Sequence, residues 1–410
     1  MRHFRTGFVL LAVAACAASQ TFAKHSKWFM VGPNPCAIVG HDLTGDGIPE
    51  IVTADRGAMG DPSEERPAND EMSFLVAQGP LEYVAQPPLR AGFAPWCIAV
   101  ANMDALKAPD LVVASFHESG RRHVTVFLNI GDNLFRKQHA AVPEGSAVYR
   151  RHRDVDQRPV FTVPGLTSLV VRDLDGDGYR DVVATGWSSD VLAVFPGAED
   201  TCLGTPRLIA APGGPRDVAV ADLDGDGHVD LVTTMYVSGE IVLWRGDGEG
   251  GFTEEDRFRS REGLPHKVRV ADVNGDGATD LVVSHCHTAD SVVVHYGEDG
   301  FSFPVTQELL LGADRRLVEH EIRDILVEDL DSDGKLDIAA ACSASNQVAI
   351  FMNRSDHRAP AQEFDVERYS YSRQGAQPRA LCSADFNGDG EPDVGVALRE
   401  ANAVALLLSR

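Results

Sequence analysis

Residues 222–230 read D-L-D-G-D-G-H-V-D, with carboxylates at positions 1, 3, 5 and 9 and a glycine at position 6. Acids on alternate residues of a short, sharply turned loop are a donor set for a hard cation, because calcium takes six to eight oxygens. The spacing predicts that Asp222, Asp224 and Asp226 point inward, that the carbonyl of His228 fills position 7, and that Asp230 closes the shell with both oxygens. Gly227 permits the positive φ of the turn. Without a cation, carboxylates this close repel one another.

The pattern recurs. Its donors are Asp42, Thr44, Asp46, Ile48 and Glu50 in the first copy, and Asp173, Asp175, Asp177, Tyr179 and Asp181 in the third. They are Asp272, Asn274, Asp276, Ala278 and Asp280 in the fifth, and Asp329, Asp331, Asp333, Lys335 and Asp337 in the sixth. The seventh offers Asp385, Asn387, Asp389, Glu391 and Asp393, and position 7 gives its carbonyl in every copy. The second copy, N-M-D-A-L-K-A-P-D from Asn102, is damaged: Leu106 replaces the position-5 acid and Lys107 stands where the turn glycine belongs. Six Ca2+ sites are expected, with the loop at Asn102 vacant.

Loops starting 49 to 71 residues apart mean a propeller, a solenoid or an array. In the fourth copy, residues 217–221 alternate apolar and polar, the loop follows, and 231–235 and 241–244 are apolar, β-rich runs. A turn, G-D-G-E-G-G-F, comes next, and no helical period intervenes. Four short strands per copy and seven copies predict an all-β chain. The expected fold is a seven-bladed β-propeller, residues 24–410 forming one domain, with the acidic loop between the first and second strands of most blades. The chain ends on the third strand of a blade, so a strand at residues 27–31 is expected to complete that blade and close the ring.

The repeats resemble the FG-GAP/VCBS family, whose calcium-binding blades occur in integrin α-chain propellers and many bacterial surface proteins. The resemblance covers essentially the whole chain after the leader. It implies the fold, the metal and an extracytoplasmic setting, but no single activity, because the family spans adhesion, ligand binding and lyase-associated scaffolds.

Residues 1–23 read as an export signal, with Arg2 and Arg5, an apolar run at 8–18, and Thr21, Phe22 and Ala23 at the cleavage site. A lipoprotein signal is the other reading, since residues 13–16, V-A-A-C, resemble a lipobox that would anchor the chain through Cys16. The apolar run is too short to span a bilayer, and no other stretch is expected to cross one. A secreted, periplasmic or lipid-anchored protein follows from either reading. The net charge is −24, and 21 carboxylates belong to the six intact loops, so the acidity is largely that of the loops. Nucleic acid is excluded as a partner of such a surface. Six cysteines follow Cys16 without a C-x-x-C pair; Cys286 and Cys342, at near-equivalent places in adjacent blades, are expected to form a disulfide. Two insertions break the period, at 56–70 and 135–164, and the second, with Arg150, Arg151, His152, Arg153 and Arg158, is read as a ligand-contacting flap.

A strand rises about 3.3 Å per residue, so six residues cross a blade. Residues six past each loop's last acid reach the opposite face: Arg56, Phe116, Trp187, Tyr236, Cys286, Ser343 and Arg399. Residues six before each loop start from that face: Cys36, Trp96, Thr167, Arg216, His266, Arg323 and Arg379. His285, His287 and His320 fall nearby. This acidic chain thus collects cations and aromatics at one mouth of its channel, which suits an anionic ligand or the ring of a sugar. The structural alternatives are that Trp96 and Trp187 plug the channel, and that Arg216, Arg323 and Arg379 pair with Asp217, Asp324 and Glu321. His285 and His287 have the spacing of a transition-metal pair but lack a third ligand in sequence.

Two function classes follow. One is a non-catalytic binding or adhesion module for an anionic glycan or an extracellular or periplasmic protein, using Arg56, Trp187, Arg216, Tyr236, His266, His285, His287, Arg323, Arg379 and Arg399. The other is a lyase on uronic-acid polymers, with Arg216 or Arg323 neutralising the substrate carboxylate and Tyr236, His266 and His285 as acid and base candidates.

Overall fold

A computed structural model describes residues 8–9, 21–25, 27–57, 69–104, 106, 108–116, 122–143, 165–199, 202–260, 263–286, 291–298, 300–311, 321–355, 361–371 and 375–410. His287, His320, Lys107, Cys16 and the arginine-rich part of the second insertion lie outside them.

Seven antiparallel blades follow one another along the chain. Blade four shows the plan: Pro215–Ala221, Asp230–Met235, Glu240–Gly246 and Phe252–Phe258 pair in sequence order. The first strands of neighbouring blades pack side by side in a ring, and Pro378–Ala384 of blade seven meets Pro35–His41 of blade one to close it. No helix among the described residues is long and apolar enough to cross a membrane.

The second strands are buried along their whole length, as in Asp110–Ser115 and Asp337–Cys342. Strands covered on both faces read as continuous apolar runs instead of alternating ones, which explains the Leu-Val-Val and Ile-Ala-Ala segments after each acidic loop. The core is divided into seven apolar clusters, each shared by two consecutive blades. No blade therefore buries its faces alone, and stability requires the closed ring.

Closure involves more chain than expected. Phe29–Met30 pairs with Ala403–Ser409, within the predicted span of 27–31, but Phe22–Lys24 pairs with the same strand as well. Phe22 is wholly buried between blades six and seven. Its N–H donates to Tyr369 Oη at 3.0 Å, and the Thr21 N–H donates to both carboxylate oxygens of Glu367 at 3.1 and 2.9 Å. The apolar period had marked only the second of these two short strands.

Candidate functional site

At one end of each inner strand sit the acidic loops. In blade four, Asp222 accepts the N–H groups of Gly225 and Gly227 at 2.8 and 2.9 Å, and Asp226 accepts that of His228 at 2.8 Å. The φ angles of Gly225 and Gly227 are 73° and 86°, left-handed values that a side chain resists. These bonds preform the loop.

The ninth-position acid does something else. Asp230 Oδ2 accepts from Leu223 N–H at 2.9 Å and Oδ1 from Gly246 N–H at 2.8 Å, tying the loop to the end of the third strand. The same two bonds recur in all seven blades. Even in damaged blade two, Asp110 takes the N–H groups of Met103 and Asn129 at 2.8 and 2.7 Å. Both oxygens are thus engaged with backbone, where the spacing had predicted two oxygens free for a cation. Burial pushes these acids upward, Asp280 to about 6 and Asp337 to about 7.

Three loops gather carboxylate oxygens within 4.8 Å of one another: Asp173, Asp175 and Asp181; Asp222, Asp224 and Asp230; Asp329, Asp331 and Asp333. Such all-oxygen clusters fit a hard divalent cation. In blades one, five and seven, Thr44, Asn274 and Asn387 take position 3, and the amides of Asn274 and Asn387 donate to Asp276 and Asp389 at 2.9 and 2.8 Å. Arginines lean on two of the richer clusters: Arg245 contacts Asp224, and Arg354 contacts Asp331 at 2.6 Å.

The opposite end of each inner strand carries a β-bulge, and one residue there has no partner on the second strand. In blade four, Pro215 pairs with Met235 and Asp217 with Thr234, so Arg216 is skipped. The skipped residues in blades one to seven are Cys36, Trp96, Thr167, Arg216, His266, Arg323 and Arg379. A bulge re-aims its side chain, and all seven line one cavity of about 210 Å³. Proline precedes the bulge in five blades (Pro35, Pro95, Pro215, Pro265 and Pro378), a sequence signal for it, since proline inside a sheet is confined to strand starts, edges and bulges.

A second ring is pinned behind the first. The N–H groups of Arg56, Phe116, Trp187, Tyr236, Ser343 and Arg399 donate to the carbonyls of Asn34, Ala94, Gly165, Gly214, Glu321 and Gln377. Those acceptor residues have φ between 48° and 72°. The two registers read from the sequence are therefore held by one repeated backbone device.

Side chains differ around the ring. Blades two and three supply aromatics: the rings of Trp96 and Phe116 lie 4.9 Å apart and those of Phe116 and Trp187 6.0 Å apart. The remaining wall is cationic. The guanidinium carbons of Arg56, Arg216 and Arg379 lie 4.7, 5.0 and 5.8 Å from the Trp96 ring centre. Arg216 also lies 5.8 Å from the Tyr236 ring, and its Nη2 is 3.3 Å from His266 Nε2. Burial first, and then Arg323 and Arg56, push Arg216 down to about 10. Burial and the arginines Arg216, Arg379 and Arg323 hold His266 well below the usual imidazole range, so it is neutral at pH 7.

The acidic neighbours are mostly spent elsewhere. Asp217 pairs with Lys267 at 3.0 Å and Arg269 at 3.1 Å, and Asp324 pairs with Arg269 at 3.0 Å, one layer deeper than the bulge ring. Arg323 does pair with Glu321, at 3.0 Å, as the structural alternative required. Arg56, Arg216 and Arg379 have no carboxylate partner among the described residues. Arg399 sits at the rim, 3.5 Å from Glu400, and does not line the cavity. His285 does not line it either. It lies opposite Pro265, one residue short of Cys286, and pleat alternation turns it to the other face of the strand. Cys286 and Cys342 are free thiols, not the expected disulfide: Cys286 Sγ approaches Tyr236 Oη at 3.9 Å, while Cys342 packs between blades five and six. Lys267 and Arg269, absent from the sequence-based site, were hidden because their partners lie 50 to 55 residues away.

Residues 173–233, 225–283 and 329–396 match the family described as FG-GAP-like repeat. The chain carries FG-GAP-like repeats. The matched segments cover the acidic loops of blades three to seven. No curated protein matches the chain. Among solved structures, it is similar to BBS1N in complex with ARL6DN, at 13% identity, 96% of this chain, 98% of that chain and TM-score 0.61. It is similar to a streptogramin B lyase at 15% identity, 96% and 100% coverage and TM-score 0.58. A putative 6-phosphogluconolactonase from Bacteroides uniformis follows the same course at 15% identity, 82% and 89% coverage and TM-score 0.52. At such identities the likeness is one of fold, and what the FG-GAP-like repeats hold must be argued from their own side chains.

Proposed function

We propose that this chain is an extracytoplasmic, calcium-stabilised propeller acting as a non-catalytic binding module, with an anionic ligand at the channel mouth opposite the acidic loops. The observation that carries the reading is the set of three arginines, Arg56, Arg216 and Arg379, gathered on one tryptophan without carboxylate partners among the described residues. Converging cations removed from water are costly unless an anion joins them. The chain has acids in surplus, yet places the nearest ones on Lys267 and Arg269. An anionic glycan or an acidic protein segment supplies the missing charge. Calcium is the cation that suits the loops, since every donor offered is a hard oxygen.

Changing Arg216 and Arg379 together to alanine tests this. Binding of acidic polysaccharide is expected to weaken by several kcal/mol, about 1.5–3 for each charge-assisted hydrogen bond removed, while the ligand-free protein melts no earlier. A sharp loss of stability, with no anion bound by the wild type, would make the arginines structural.

The clustering of Arg216, His266 and Tyr236 favours a second reading, a lyase on uronic-acid polymers. The His266 and Tyr236 rings lie 6.2 Å apart with Arg216 touching both. Arg216 would hold the carboxylate, which would release His266 Nε2 to take the α-proton, and Tyr236, pushed up to about 12, would stay protonated to meet the leaving oxygen. Unsaturated uronate products on incubation with pectate or alginate would establish this reading; their absence would exclude it for those polymers.

A further inference from the structure

The hydrogen-bonding character of the channel mouth narrows the ligand class beyond "anionic". Resting on the reading that this cavity binds an anion, we propose that it is built for a compact, fully ionised tetrahedral oxyanion, a sulfate ion or a sulfate-ester group, seated among Arg216, His266 and Arg379.

Arg216, His266 and Arg379 line the cavity, Arg56 stands beside it on the Trp96 ring, and the unpartnered polar atoms of the four are all donors. A guanidinium only donates, so Arg216 Nη2 donates to His266 Nε2 at 3.3 Å, which fixes the proton of the neutral ring on Nδ1. That Nδ1 is buried and has no hydrogen-bond partner among the described residues, and the same holds for Arg56 Nε. Arg379 faces the cavity with no carboxylate partner among the described residues.

The acceptors in the wall are largely engaged. Asp324 receives Arg269 Nη2, Ile325 N–H and Leu381 N–H, each at 3.0 Å. The Thr167 hydroxyl donates to the Arg216 carbonyl at 2.8 Å and meets Thr185 Oγ1 at 3.1 Å. A ligand hydroxyl entering here would meet a wall much richer in donors than in open acceptors, a mismatch that disfavours it against a proton-free anion. Sulfate carries no proton. Hydrogen phosphate does.

Size and shape agree. A cavity of about 210 Å³ has room for one tetrahedral oxyanion and part of its hydration. Two uncompensated guanidiniums line it from blades four and seven, and a third, Arg56 of blade one, stands on the Trp96 ring beside it. A tetrahedral ion offers oxygens in all those directions, whereas the two oxygens of a carboxylate lie in one plane.

Calorimetric titration of the full chain, with calcium present and at about pH 5 where phosphate groups keep a proton, tests the proposal. The probes are sodium sulfate, a monosulfated monosaccharide, sodium phosphate, sodium acetate and a galacturonate oligomer. The sulfate probes are expected to bind at least about tenfold more tightly than phosphate or acetate. Tighter binding of the sulfated sugar identifies an ester as the source, and tighter binding of the inorganic ion identifies free sulfate; both support the shared chemistry. Arg379→Ala should weaken sulfate binding by at least about tenfold. Arg379→Lys, which keeps the charge and loses the fork, serves if the alanine variant does not fold, and it too should weaken binding. Phosphate binding as tightly as sulfate, or the galacturonate oligomer binding where sulfate does not, would overturn this proposal and leave the anion-binding reading standing. Binding by none of the anions would remove both.

Discussion

The two ends of each inner strand follow different rules. At the loop end the seven blades are nearly interchangeable: the ninth-position acid makes the same two backbone hydrogen bonds from Glu50 in blade one to Asp393 in blade seven. At the bulge end the backbone is equally regular, but its seven side chains are cysteine, tryptophan, threonine, histidine and three arginines. Repetition of side chains marks what each blade needs for itself. Variation on a repeated backbone marks what the ring needs once. Blade two separates these demands within a single loop: it has lost the acid at position 5 and the glycine at position 6, yet keeps Asp110 with both of its bonds. The ninth acid is a structural tie that a bound cation would add to.

The largest effect should come from the loop end as a whole. With calcium at 100 to 1,000 times its dissociation constant, each filled site is worth about 3–4 kcal/mol, so a chelator should lower the melting temperature markedly. Metal analysis should find the four-acid loops of blades three, four and six filled first. A melting curve indifferent to chelator would break the cation half of the comparison.

Next come the ties themselves. Asp110→Ala in blade two and Asp230→Ala in blade four each strand two buried N–H groups, at about 1–3 kcal/mol apiece. In chelator the two variants should lose similar stability by denaturant titration. Only Asp230→Ala should lose more when calcium is present. A silent Asp110→Ala would show that the tie matters only with a cation.

A smaller effect belongs to Asp55, beside the bulge ring. It is buried, accepts from Thr53 Oγ1 and Ser73 Oγ at 2.7 and 2.6 Å, and is pushed up to about 6 chiefly by burial. A carboxyl whose folded pKa is raised binds its proton more tightly in the native state. Its ionisation therefore destabilises the fold as pH rises from the unfolded value through about 6. Asp55→Asn should raise stability at pH 8 by up to about 3 kcal/mol and have little effect near pH 4. Equal effects at both pH values would contradict the assignment.

The smallest change in stability should follow the largest change in binding. Arg216→Ala with Arg379→Ala should leave the unliganded melting temperature level or higher, because mutual repulsion of cations is relieved. A drop as large as that of Asp230→Ala would place both ends of the strand under one structural rule.

Much of the fold was legible because its causes are local. A nine-residue acidic loop, a continuous apolar run after it and a period near fifty residues fix blade number, strand order and the face on which each register lies. The site's membership was legible for a related reason: strand rise converts a count of six residues into a face, so Arg216, His266, Arg323 and Arg379 could be grouped across more than 150 residues.

Partners were a different matter. Arg216 and Asp217 are adjacent in sequence, yet Asp217 turns away to Lys267 and Arg269 of the next blade, leaving Arg216 to Trp96 and His266. His285 counts as near the mouth, but the pleat sends it to the other face. Phe22 sits in a stretch that reads as leader grammar and fills a gap between blades six and seven. The sequence by itself determined the repeat, the acids and the registers, because those rest on spacing along one strand or one turn. Tertiary structure alone decided which charges are neutralised and which are left facing the channel. That outcome depends on where ring closure sets neighbouring blades, and each blade's charged groups find their partners across that seam.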